Sequence, residues 1–274
     1  MNPWIRASIN LANNEGYLDS LLSIYDVSAV RQRHVSSQRI NEIVNAHTNH
    51  DSHSLVEVLL QLDKFPVDDI YVGFLRSENS AIVKNPNTVE RIAKRLLDMP
   101  VEDVIKLCRQ PKVDNRRMGE LFHNWFTNLA YPKLEEDSFA NLTEITDMQG
   151  KKHSILMLDG TRRDFRDFVN RELGCGLEKE LDILVKVKGE YIIGEAKYFS
   201  GFGGHQNDQF EDALSFLLNV QGDAARIAVL DGVVWLDTKN KMCLKVRRLE
   251  SIAMSALLLP RFLEEVQMSA AYRM

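Results

Sequence analysis

Residues 180–199, ELDILVKVKGEYIIGEAKYF, constrain the fold more than any other stretch of the chain. Two runs rich in Ile, Val and Leu flank Lys188-Gly189, and a glycine there suits a two-residue turn between antiparallel strands. With Lys188 and Gly189 as the turn, Val187 faces Glu190, Asp182 faces Glu195, and Glu180 faces Lys197. Moving the turn to Gly189-Glu190 sets Asp182 opposite Lys197 instead. Either way the four charged residues share one face, because strand side chains alternate with a period of two. The other face carries Ile183, Val185, Val187, Ile192, Gly194 and Ala196, a largely apolar set suited to a core. Leu184 and Ile193 share the charged face, so its lower part must also be covered.

The rest of the chain divides in character. Up to about residue 110 the pattern is helical. NPNTVERIAKRLLDMP carries Val89, Ile92, Ala93 and Leu96 at helical spacing, with Asn87 or Thr88 expected as N-cap and Pro100 beyond the end. SLVEVLLQLDKF and VEDVIKLCRQP read the same way. A helical subdomain over 1–110 is therefore expected, joined through RQPKVDN (109–115) to a domain over 111–274. In that second part RRMGELFHNWFTNLA reads as a helix and KHSILML as a strand. TRRDFRDFVNREL reads as a helix with Phe165, Phe168 and Val169 on one face. After the hairpin come a helix at about 205–219, strands at ARIAVLD, VVWLD and CLKVRR, and a terminal helical stretch bent near Pro260. The order predicts an α/β fold: a central mixed sheet flanked by helices.

Composition sets the outer bounds. The 274 residues, 45% of them hydrophobic, suffice for a full core. No apolar run approaches the roughly 20 residues of a membrane helix, since IAMSALLLP is cut by Pro260 and Arg261. The opening MNPWIRASINLANNEG lacks the basic-then-apolar order of a secretory signal. Cys108, Cys175 and Cys243 are odd in number and far apart, which fits neither a disulfide framework nor a CxxC metal site. An unexported, reducing, cytoplasmic location is expected. A net charge of -5 argues against a uniformly basic nucleic-acid coat but leaves room for a local basic cleft. RQRH (31–34), RQPKVDNRR (109–117), TRRDFRDF (161–168) and KVRR (245–248) are short basic stretches that also suit solvated helix faces.

Two carboxylates side by side repel each other unless a cation neutralises them. A hard divalent ion such as Mg2+ does so with one or two carboxylates, keeping sites for water and phosphate oxygens. A lysine two residues after the second acid reaches the same water or phosphate, an arrangement suited to phosphodiester hydrolysis. An acid two residues before a lysine occurs twice, at Glu195-Ala196-Lys197 and Asp237-Thr238-Lys239. The second lies in a turn-like segment. Only the first has a facing strand that supplies another acid, Asp182.

With an acid opening one strand, E-x-K closing the next and a helix following, the sequence resembles the PD-(D/E)XK nuclease superfamily over about residues 116–235. Within it, the chain looks like a type II restriction endonuclease. The resemblance implies that Asp182 and Glu195 bind Mg2+, with the Ala196 carbonyl as a further ligand, and that Lys197 positions or polarises the attacking water. The naming proline is replaced by Leu181. Glu180 would be an extra acid in the same shell, and Glu120, on the helix before the core strands, another. Gln206 and Gln209, at the start of the helix after E-x-K, stand where related nucleases often carry a glutamine; exposed polar residues of a first helical turn look the same.

Other constellations are plainer. His47, His50 and His53 in HTNHDSH read as a polar loop rather than a metal site. GFGG lacks the G-K-[ST] of a phosphate loop and reads as a flexible helix entry. His123 and Trp125 read as packing residues, and no G-x-S-x-G is present. The expected protein is thus a Mg2+-dependent endonuclease cutting double-stranded DNA at a short specific sequence, prokaryotic and homodimeric, with no membrane contact. A repair or structure-specific nuclease, or a non-catalytic DNA-binding protein, are the alternatives. The helical first third would serve dimer contacts or base recognition, and Arg162, Arg163 and Arg166 would bind backbone phosphates.

Overall fold

The hairpin forms the middle of the molecule's main sheet. The computed structural model describes residues 1–26, 33–77, 80–110 and 115–269. Its strands are β1 (Lys133–Leu134), β2 (Ile145–Thr146), β3 (Lys152–His153), β4 (Ile155–Leu158), β5 (Ile183–Val187), β6 (Glu190–Phe199), β7 (Ala225–Gly232) and β8 (Ile252–Met254). Six of them pair in the order β1-β4-β5-β6-β7-β8, while β2 and β3 make a separate antiparallel pair. The sheet is mixed: β4, β5 and β6 run antiparallel to their successive neighbours, whereas β1 with β4, β6 with β7, and β7 with β8 are parallel.

The helices are α1 (Pro3–Ala12), α2 (Tyr17–Leu21), α3 (Ser37–Thr48), α4 (Ser52–Leu60), α5 (Val72–Ser77), α6 (Ala81–Lys84), α7 (Pro86–Leu97), α8 (Val101–Arg109), α9 (Asn115–Thr127), α10 (Glu136–Asn141), α11 (Arg162–Leu173), α12 (Gly204–Asn219), α13 (Lys241–Val246) and α14 (Leu259–Met268). Two compact units result, Ser28–Val113 and Met1–Val27 with Asp114–Met274. The smaller is all helical among its described residues, and Val89, Ile92, Ala93 and Leu96 of α7 all enter its core. Helix α7 begins earlier than expected, with Pro86 in its first turn and Asn85 as N-cap. A proline is well suited to that first turn because its missing N–H would be unpaired there in any case. HTNHDSH is not a loop. It spans the end of α3 and the start of α4, with Asp51 capping α4 by accepting from Ser54 N–H at 3.0 Å.

The first residues do not belong with that helical unit, contrary to a single break near 110. Instead α1 packs against the sheet unit, where Trp4 meets Phe262 edge-on at 5.4 Å. Residues 111–114 of the expected joint and the first half of the basic stretch at 31–34 lie outside the described residues. Three further readings change near the C-terminus. VVWLD is a 3₁₀ turn because Gly232, at φ 88°, ends β7, and its missing side chain lets Phe199 come within contact. CLKVRR is part of α13, capped by Asn240, and its buried Met242, Cys243 and Val246 follow helical spacing. The stretch ahead of α14 holds strand β8, which extends the sheet beyond β7.

Four charged side chains are buried among the described residues: Asp182, Lys186, Glu195 and Asp231. Lys186 and Asp231 are well bonded. Lys186 Nζ donates to the carbonyls of Phe139 and Ala140 at 3.0 and 2.8 Å, at the end of α10, and lies 4.8 Å from the centre of the Tyr191 ring. It thereby covers the lower part of the charged hairpin face. Asp231 accepts from Tyr17 Oη at 3.1 Å, Tyr25 Oη at 2.9 Å, Ser255 Oγ at 2.5 Å and Ala256 N–H at 3.2 Å. Both tyrosines come from the first residues of the chain, so this carboxylate ties them to the sheet.

Burial pushes the Asp231 carboxyl up to about 6. Between the ordinary aspartate value of about 4 and that point, the native state binds more protons than the unfolded chain, so Asp231 costs stability progressively as pH rises. Its four donors limit that cost. Tyr25→Phe should therefore destabilise the protein by about 1–3 kcal/mol at pH 7.5, where the carboxylate is charged. The loss should shrink at pH 4.5, where Asp231 is protonated; urea denaturation at the two pH values checks this.

Candidate active site

Lys188 and Gly189 both take positive φ, 51° and 93°, the signature of a tight hairpin turn that matches strand twist. The register runs from Val187 opposite Glu190 to Ile183 opposite Gly194. That is the Lys188-Gly189 alternative; the Gly189-Glu190 turn does not occur. Beyond Ile183 the ladder stops, and the side chain of Asp182 takes over. Its Oδ2 accepts the Ala196 N–H at 2.9 Å, a bond that a β5 backbone carbonyl would otherwise make. Lys197 Nζ donates to Glu195 Oε2 at 2.6 Å. Asp182, Glu195 and Lys197 thus meet where two central strands part.

Gly194 makes this approach possible from beneath. A Cβ there would stand 2.8 Å from Ile227 Cγ1, 3.0 Å from Ile183 Cδ1 and 3.0 Å from the Ile227 carbonyl. The three strands carrying the site close together only because position 194 has no side chain.

The charges are strained against their surroundings. Asp182 is 5% exposed and Glu195 8%. Burial raises both carboxyls above their ordinary range; Lys197 pulls each down, and Asp182 adds to the rise at Glu195. Burial works against the Lys197 charge too, yet Glu195 and Asp182 outweigh it and hold the ammonium above its usual value. The two acids thus favour the ammonium form, which donates its hydrogen bond to Glu195. A cleft of about 570 Å³ opens onto Glu195 and Lys197, walled by Leu177, Lys179, Asp212 and Phe216. Lys179 and Asp212 pair across it at 2.7 Å.

The remaining candidates lie apart or in other roles. Glu180 sits 3.5 Å from Arg162, and Glu120 pairs with Arg117 at 2.9 Å. Among the described residues, no three His, Cys, Asp or Glu side chains come close enough to hold a metal, so neither extra acid joins Asp182 and Glu195. Gln206 turns back to Ser200, accepting from its N–H at 3.1 Å, and Gln209 meets His205 at 3.2 Å. Arg163 is exposed and Arg166 pairs with Asp167 at 2.6 Å. His47 Nε2 lies 2.9 Å from the Met99 carbonyl in the helical unit. His123 packs edge-on to Phe165, and burial, helped by the Arg162 charge, pulls its pKa down. Arg162 itself faces the acids, 3.4 Å from Asp182 Oδ1. Its role beside Asp182 has no local signature, although the Thr161-Asp164 capping box that begins α11 at Arg162 is readable as T-x-x-D.

A mixed sheet whose central hairpin ends in Asp182 and Glu195-Ala196-Lys197, with α12 following, has the core of a restriction-endonuclease-like nuclease. The chain belongs to the Tsp45I type II restriction enzyme family, whose model matches residues 2–266, and is a site-specific deoxyribonuclease. The match spans both units, so the helical one is part of the family's common chain. No curated protein shows significant similarity to it. No helix among the described residues is long and apolar enough to cross a membrane.

Gly194→Ala should destabilise the sheet by about 1–3 kcal/mol through overpacking. Thermal unfolding of the purified variant measures it; an unchanged midpoint would show that the strands have room to spare.

Proposed function

We propose that the protein cleaves both strands of DNA at a short specific sequence in a Mg2+-dependent reaction carried by Asp182, Glu195 and Lys197. The observation that carries this reading is the Asp182 to Ala196 N–H bond, which keeps one carboxylate of the pair beside the other at the strand ends. The donor set suits Mg2+. Two carboxylates are what a hard ion of this kind takes when it also keeps waters and phosphate oxygens, and the pair is buried with Lys197 and Arg162 as its charged partners among the described residues. In an extended strand the N–H and C=O of one residue point the same way, so the Ala196 carbonyl turns toward Asp182 and fits as a third oxygen donor.

When bound, Mg2+ would polarise the scissile phosphate and lower the pKa of the attacking water. Asp182 and Glu195 would hold it. Lys197, kept protonated by its two acids, would donate a hydrogen bond to the water or to a phosphate oxygen and orient it for in-line attack. Products with a 5'-phosphate and a 3'-hydroxyl follow from the resemblance to PD-(D/E)XK nucleases. Glu120, Glu180, Gln206 and Gln209 have no part in this scheme.

We further infer a homodimer, whose two-fold axis would match a palindromic site. The helical unit would supply dimer contacts or base recognition. It exposes Ile70, Phe74 and Val83, and large exposed apolar side chains favour an interaction surface. Arg163 is exposed and would contact phosphates, joined by Arg166 on release from Asp167; such contacts would orient the DNA without reading its sequence. Three unpaired, buried cysteines suit a reducing compartment, here the prokaryotic cytoplasm.

Digestion of a long, sequenced, unmethylated DNA with Mg2+ tests the reading. Discrete fragments are expected, abolished by EDTA. Glu195→Ala and Lys197→Ala should each lower the rate at least about a hundredfold with an unchanged circular dichroism spectrum. A smear would indicate a less selective nuclease. Intact DNA that is still bound in gel shifts would indicate a non-catalytic DNA-binding protein.

A further inference from the structure

Arg162, the first residue of α11, carries its guanidinium between two acids. Nη1 lies 3.4 Å from Asp182 Oδ1, and Nη2 lies 3.5 Å from Glu180 Oε2. Its main chain is tied to the same segment, since Leu181 N–H donates to the Arg162 carbonyl at 3.1 Å. Helix α9 leaves space for the head group at Gly119, where a Cβ would stand 3.2 Å from Arg162 Nη1. Charge-assisted bonds close to about 2.7–2.9 Å, so the guanidinium is near two carboxylates and tightly bonded to neither. It sits on the Oδ1 side of Asp182, opposite the oxygen engaged by Ala196 N–H.

We propose that Arg162 is a displaceable counter-charge: it balances Asp182 in the absence of a divalent cation and turns to a DNA phosphate when a cation takes that carboxylate. This rests on Asp182 and Glu195 as the metal ligands. A guanidinium and a divalent ion compete for the same carboxylate and repel each other across a few ångströms. The displaced guanidinium keeps only a loose contact with the half-exposed Glu180, whereas a phosphate accepts its planar fork with two parallel bonds. Its side chain is a quarter exposed, so it has a way out toward solvent. The coupling is reciprocal: a phosphate that draws Arg162 away also frees Asp182 for the cation. Arg162 is in this sense a positioning residue that links metal and DNA occupancy.

Calorimetric titration of the DNA-free protein with Mn2+ tests the proposal. Arg162→Met should tighten Mn2+ binding roughly threefold to tenfold, the size expected of one partly screened like charge removed near the ion. Gly119→Ala should act in the same direction but less strongly, because its added Cβ displaces the guanidinium while alanine suits a helix. Arg166→Met, on the same helix without contact to Asp182, should leave the affinity unchanged. In gel shifts on a long linear DNA, the gain in binding on adding Ca2+ should shrink in Arg162→Met. Unchanged or weaker Mn2+ binding by a folded Arg162→Met or Gly119→Ala protein overturns the proposal, as does an undiminished Ca2+-dependent gain in DNA binding. Mn2+ binding that survives Asp182→Asn would instead overturn the metal-site reading beneath it.

Discussion

The hydrogen bond from Ala196 N–H to Asp182 Oδ2 holds the site together. It stands where the β5–β6 ladder ends, and a side chain there substitutes for the backbone acceptor that the departing strand no longer supplies. The substitution satisfies a buried N–H, which would otherwise cost free energy. It also holds a carboxylate beside Glu195, against the repulsion and desolvation that both groups suffer. The contact that ends the ladder is also the one that brings the buried acids together.

The four buried charges divide by how completely they are bonded. Lys186 caps two carbonyls at the end of α10, and Asp231 receives four donors. Asp182 and Glu195 are less well served: each has one close bond, and Asp182 has a longer contact to Arg162. Charges saturated by the protein have little left to offer a ligand. The buried acid pair keeps spare acceptor capacity, and the fold tolerates it because Lys197 and Arg162 stand close by.

How much was readable depended on the range of the signal. The hairpin register was legible because a turn glycine and period-two alternation are local, and Lys188-Gly189 was one of two even-length turns that keep the charges on one face. Helices α7, α9, α11 and α12 were legible from apolar spacing, although the cap of α7 was expected two or three residues too late. VVWLD misled because a run of five apolar-rich residues is short enough to suit either state; Gly232 and the close approach of Phe199 decided against a strand. CLKVRR failed for the same reason. The attachment of Tyr17 and Tyr25 to Asp231, more than 200 residues away, had no trace in the local pattern. Gln206 and Glu120 were chosen by their places in the chain, and the folded helices aim them elsewhere.

The sequence by itself determined the hairpin, the shared face of Asp182, Glu195 and Lys197, and the mixed α/β order, because alternation, turn chemistry and helical spacing act over a few residues. Only the tertiary structure decided which further charges reach that face. Arg162 arrives through the start of α11 and the gap at Gly119, while Glu120 pairs with Arg117 and Glu180 lies 3.5 Å from Arg162. Long side chains from separate elements meet according to how those elements pack, and that packing is a property of the whole core.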